Sequence, residues 1–189
     1  MDVTDSTRGH GGVGRTAADV ADTSRGFLRM SNEEFMGVAL EEARASYEGG
    51  GVPVGAVMTE VGEDGREKEI GRGHNERTGG NPLSHGETQC LMNIGRRPQG
   101  YKNTVMYTTL APCAMCAGTI IQFGIPKVVV GEDENFTGEL EWLTSRGVEV
   151  VLLDHAGCKE LMSTFIRENP ELWAEDIAED VPAATTDAQ

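Results

Sequence analysis

Residues 104–131 read TVMYTTLAPCAMCAGTIIQFGIPKVVVG. Positions 104–110 form a short run rich in β-branched and aromatic residues, which predicts a strand. Pro112 follows, and proline fits the first turn of a helix, so a helix is expected from there to about Phe123. Residues 127–131 are again a short apolar run and read as a buried strand. Strand, helix and strand in direct succession predict a sheet with helices on its faces.

The pattern extends in both directions. Ser31-Asn32-Glu33-Glu34 has the form of a capping box, ahead of a helix carrying Phe35, Val38, Ala39 and Tyr47 and stopped at Gly49 to Gly51. Positions 52–61 are β-rich, 62–67 form a charged turn, and 69–74 return as a hairpin partner. A short helix is expected over 85–94. After the central unit come a helix at 139–146, a strand at 148–154, a helix at 158–168 and a last short helix at 171–179 opened by Pro170. Residues 1–30 hold four acids, four bases and almost no apolar periodicity, which reads as a disordered arm. The domain is therefore expected over 31–180, with a lid helix at about 170–179 and a polar tail at 181–189.

Charge and cysteine spacing narrow the function. The 189 residues carry 31 acids against 16 bases, a net charge of −15. Nucleic-acid binders need clustered cations to neutralise phosphates, so a polyanionic partner is disfavoured. No run reaches the roughly 18 apolar residues of a membrane helix, and residues 1–30 lack a secretory apolar region. A cytoplasmic protein is expected, extending to the nucleus in a eukaryotic host, with no membrane partner. Of the four cysteines, Cys113 and Cys116 form a C-x-x-C pair, a spacing that in such a setting binds metal or does redox chemistry.

The pair lies at a predicted helix start, one turn apart, near the positive end of the helix dipole, which favours thiolates. His85 and Glu87 lie at another. Two thiolates and a neutral imidazole make three zinc ligands and leave a fourth position for water, the layout of a catalytic site. Glu87, two residues from His85, can then carry protons without binding the metal. Taken singly, these residues have ordinary readings: Ser84-His85-Gly86-Glu87 also fits a capping box, and a C-x-x-C pair can be redox-active. Their joint order, H-x-E followed by P-C-x-x-C, is the zinc deaminase signature.

Further segments carry a narrower likeness. Gly51-Val52-Pro53-Val54-Gly55, Gly71-Arg72-Gly73-His74-Asn75, Tyr107-Thr108-Thr109-Leu110, Asn135-Phe136 and Trp173-Ala174-Glu175-Asp176-Ile177 resemble the fungal-type cytosine deaminases of the cytidine deaminase-like superfamily. The likeness runs from about Glu34 to Glu179, and Ala111 departs from it where relatives often have Ser. It implies a three-layer α/β/α fold around a central mixed sheet, one Zn²⁺ per chain and a homodimer. It further implies His85, Cys113 and Cys116 as ligands and Glu87 as proton shuttle, acting on free cytosine in pyrimidine salvage. Asn75, the Gly86 backbone and Asp176 would bond the pyrimidine edge, Phe136 and Trp173 would flank the ring, and Val54 would line the pocket. Read without the likeness, Asn75 equally fits a turn, and the two aromatics fit a core. The alternatives are a tRNA adenosine or guanine deaminase of the same superfamily, or a non-catalytic zinc or redox protein.

Overall fold

The computed structural model describes residues 30–180; the expected arm and polar tail lie outside them, apart from Met30. Within that span β1 (Gly55–Val61), β2 (Glu67–His74), β3 (Thr104–Thr108), β4 (Lys127–Val130) and β5 (Glu149–Leu152) form one mixed sheet in the order β2-β1-β3-β4-β5. β1 runs antiparallel to both its neighbours, whereas β3, β4 and β5 are parallel. The helices are α1 (Asn32–Glu48), α2 (Gly86–Ile94), α3 (Ala114–Phe123), α4 (Leu140–Ser145), α5 (Ala156–Glu168) and α6 (Pro170–Asp176).

Strand alternation divides the core into two layers. Ala56, Met58, Met106, Val128 and Val130 face one side, packed with Cys90, Leu91, Ala117, Ile120 and Leu143 of α2, α3 and α4. Val57, Val105, Tyr107 and Val129 face the other, against α1 and Cys158 of α5. The period of two along each strand makes this division unavoidable once both faces are covered. The three-layer α/β/α expectation holds. A third cluster, with Val52, Val54, Leu110, Phe165 and Trp173, lies where α5 and α6 close over one edge of the sheet.

Local boundaries follow local chemistry. The capping box at Ser31 and Glu34 forms as expected, with Ser31 N–H donating to Glu34 Oε2 at 2.6 Å. β1 begins at Gly55, after residues 52–54, because Pro53 has no N–H to give a ladder. Gly55 is where α1 meets the sheet: a Cβ there would stand 2.2 Å from Ala39 O. β2 starts two residues ahead of its expected position, α6 ends at Asp176, and a 3-10 turn at Arg77–Gly79 was not foreseen. Pro112 does not open α3. Cys113 is its N-cap, with extended backbone (φ −67°, ψ 172°), and the helix starts at Ala114. The preceding segment is held elsewhere, since Ala111 N–H donates to Glu132 O and Pro112 O accepts from Glu139 N–H.

Candidate active site

β2 and β3 are not adjacent, but β1 lies between them antiparallel to both, so their C-terminal ends share one edge of the sheet. α2 and α3 both start at that edge. Open α/β sheets place ligand sites beyond the carboxyl ends of their strands for this reason: loops converge and helix N-termini point inward. His85 caps α2 in extended conformation, with its N–H donating to Thr88 Oγ1 at 3.0 Å. Thr88, not Glu87, therefore occupies the capping position three residues on, and the capping reading of Glu87 fails. Gly86 opens the helix against the start of β1, where a Cβ would lie 2.9 Å from Val54 O. Its N–H belongs to the first turn, whose donors have no acceptor within the helix.

His85, Cys113 and Cys116 come together, with their donor atoms all within 4.8 Å of one another. His85 Nδ1 and Cys113 Sγ are 3.6 Å apart. A tetrahedral ion with Zn–S near 2.3 Å and Zn–N near 2.0–2.1 Å requires about 3.6 Å along that edge. The chemistry of the donors agrees. Hydrogen bonds from Cys116 and His85 outweigh burial and lower the Cys113 thiol to about 4. The Cys116 thiol is pushed well up by its bond to Cys113 and by burial. For His85 burial favours the neutral ring, but Cys113, Asp176 and Glu87 together raise its pKa. Three donors that compete for protons at such short range would be relieved by a dication, and the residues fit zinc.

Glu87 is the second residue of α2 and buried. Burial first, then the charge of Cys113, raises its carboxyl pKa. It faces a cavity of about 30 Å³ with His85, Cys113 and Val54 in its walls. Leu110, Ala111 and Ile177 complete the apolar lining, and Phe136, Trp173 and Asp176 close the remaining side. Phe136 and Trp173 meet edge to face at 5.9 Å and 90°.

The loop bearing Phe136 is shaped by Glu132, which is fully buried at the end of β4. Its carboxylate accepts from Glu134 N–H at 2.8 Å, Asn135 N–H at 2.9 Å and Asn135 Nδ2 at 3.1 Å. Nothing in the spacing marked Glu132 as the organiser of that loop. Asp176 lies 3.7 Å from His85 Nε2 and accepts from Asn75 Nδ2 at 3.1 Å and Arg77 Nη1 at 2.7 Å. Asn75 also accepts Arg77 N–H on Oδ1 at 3.0 Å, so it shapes the turn as well as touching Asp176, and it stands behind the cavity wall. Arg77 was missed, because its partner lies 99 residues away.

Comparison with known proteins agrees with this geometry. Residues 29–132 match the model of the cytidine and deoxycytidylate deaminase zinc-binding region. Over 154 residues the chain is 42% identical to the cytosine deaminase of Candida albicans, covering 80% of this chain and 100% of that one. It is 32% identical over 154 residues to a tRNA-specific adenosine deaminase of Haemophilus influenzae, covering 74% and 86% of the two. In fold it matches the guanine deaminase from Nitrosomonas europaea with a TM-score of 0.60 at 21% identity, over 84% and 98% of the two chains. The three clustered donors and buried glutamate are thus framed by a matching family model and an extensive sequence likeness, and the chain belongs to the zinc-binding cytidine and deoxycytidylate deaminase family.

Proposed function

We propose that the protein hydrolyses free cytosine to uracil and ammonia. The observation that carries the reading is the lid on the site: Trp173 and Asp176, both from the C-terminal helix, form one side of a small cavity whose other walls include Glu87, His85 and Cys113. Such a lid suits a single base and obstructs a polynucleotide, and the net charge of −15 adds repulsion. The likeness to the Candida albicans cytosine deaminase points the same way.

His85, Cys113 and Cys116 would hold zinc, which when bound supplies a Lewis acid that lowers the pKa of water to about 7. Glu87 takes a proton from the attacking water and returns it to N3 of the ring. It then carries a second proton to the amine leaving C4. A raised carboxyl pKa suits both directions of transfer. Asp176 accepts the N1–H of the base, the Gly86 N–H completes the polar edge, Asn75 supports that edge from behind through its bond to Asp176, and Phe136, Trp173 and Val54 hold the ring.

Residues 31–180 form the catalytic unit, acting in cytoplasmic pyrimidine salvage without a nucleic-acid partner. The protein functions as a homodimer. Its support is a groove between α2 and α3 where Leu83, Met92 and Phe123 are 59%, 49% and 49% exposed, an apolar surface that a second copy would cover.

The test compares kcat/KM for cytosine, cytidine and an adenosine-containing tRNA stem-loop, with zinc content and sedimentation mass measured on the same sample. Cytidine has no N1–H, and its ribose meets the lid. Leaving a buried acceptor unpaired costs at least about 1–3 kcal/mol before any steric clash, so cytosine should be preferred by orders of magnitude. Comparable rates on cytosine and cytidine would end the free-base reading, and turnover of the stem-loop alone would favour the tRNA alternative. A monomeric mass would end the dimer proposal.

A further inference from the structure

Arg77 has no part in the chemistry above, yet its side chain is only 16% exposed and spans from the loop after β2 to the last turn of α6. Nη1 donates to Asp176 Oδ1 at 2.7 Å, and Nη2 donates to Glu175 Oε1 at 3.3 Å. The near end of the residue is fixed by its own loop. Its N–H donates to Asn75 Oδ1 at 3.0 Å, and its carbonyl accepts from Gly80 N–H at 2.8 Å. The root of the arginine is therefore part of the scaffold, while its tip holds the helix.

That helix needs holding. α6 has seven residues, far below the length at which a helix is stable alone in water. Trp173 and Ala174 are buried beneath it, but apolar contacts are non-directional and do not set its angle. The cavity below it measures about 30 Å³, enough for one or two waters and too little for a pyrimidine ring. A base therefore needs a wall to give way, Phe136 or α6, and any movement of α6 carries Trp173 and Asp176 with it and breaks the Arg77 contact.

We propose that Arg77 is a positioning residue that latches α6 over the site by gripping Asp176. The bonds that Asp176 receives from Asn75 and Arg77 both fall on Oδ1. The latch thereby fixes the carboxylate of Asp176 beside His85, 3.7 Å from Nε2, and keeps Trp173 over the site. It also sets selectivity, since a helix held down excludes the ribose of a nucleoside. The inference rests on the free-base reading above, but the latch itself can be observed without substrate.

The experiment uses the full zinc-loaded chain and its Arg77→Gln and Arg77→Lys variants. Arg77→Gln should raise KM for cytosine about tenfold, the weight of one charge-assisted hydrogen bond, with kcat close to the parent's and the preference over cytidine reduced. Amide hydrogen exchange should quicken across residues 170–177 and stay unchanged in β3 and α3. Arg77→Lys should recover part of the KM, since the charge returns without the planar fork. A parallel loss of kcat, zinc and core protection would identify a merely structural ion pair and overturn the proposal. Parent-like exchange across α6 would overturn it whichever base the enzyme turns over. A parent inactive on cytosine would refute the substrate reading and leave the exchange data to decide the latch. Should Arg77→Gln not fold, Arg77→Lys is judged by the same α6 exchange.

Discussion

The carboxylate of Glu87 and the thiol of Cys113 show how position alters ordinary side chains. Glu87→Gln keeps the shape of the side chain but cannot accept and return a proton. It should keep the fold and the zinc while losing at least about 100-fold in turnover; assay and elemental analysis of one preparation check this, and substantial residual activity would mean another group carries the proton. Metal removal separates the thiols. Cys113, lowered to about 4 by Cys116 and His85, is a thiolate at neutral pH once zinc is stripped, because thiolate is the form above the pKa. Burial pushes Cys90 and Cys158 up to about 12, so both stay protonated there. Brief iodoacetamide treatment of chelator-stripped protein at pH 7, mapped by mass spectrometry, should label Cys113 and spare Cys90 and Cys158. Earlier labelling of Cys90 would contradict this order.

At the scale of elements, the site depends on how closely helices approach the sheet. α2 carries His85 at its cap and Glu87 in its first turn, and it rests on β2 at Gly73. A Cβ there would lie 2.6 Å from Cys90 N and 2.8 Å from the Gln89 carbonyl carbon. Both are backbone atoms and cannot rotate aside. Gly73→Ala must therefore push the helix away, at a cost of about 1–3 kcal/mol for overpacking. Thermal melting should show the destabilisation, and zinc titration should show weaker binding because His85 moves while Cys113 and Cys116, on α3, do not. An unchanged melting temperature with unchanged zinc affinity would show that the contact relaxes without moving the site.

Across the whole molecule, the two core layers, the metal donors and the lid all fall within residues 30–180. Residues 1–30 show almost no apolar periodicity in sequence and include none of the candidate site residues. Deleting them should leave kcat/KM on cytosine and the melting temperature close to those of the full chain. A large drop in either would show that the arm docks on the domain.

The amino-acid sequence by itself determined the alternation of strands and helices, the cap of α1 and the chemistry of the zinc donors. These depend on side-chain type and on spacing within a turn or two, which a linear reading measures directly. It was less sure of where elements begin: Pro112 sits before α3 and not within it, because its segment is bonded to Glu132 and Glu139. The tertiary structure supplied the means by which His85 meets Cys113, an antiparallel β1 that brings the ends of β2 and β3 to one edge. It alone showed that Thr88 caps α2, freeing Glu87 for the cavity, and that Glu132 builds the loop of Phe136. It alone set Arg77 against Asp176, since a bond across 99 residues leaves no periodic trace in a chain and exists only once the sheet has brought its two ends together.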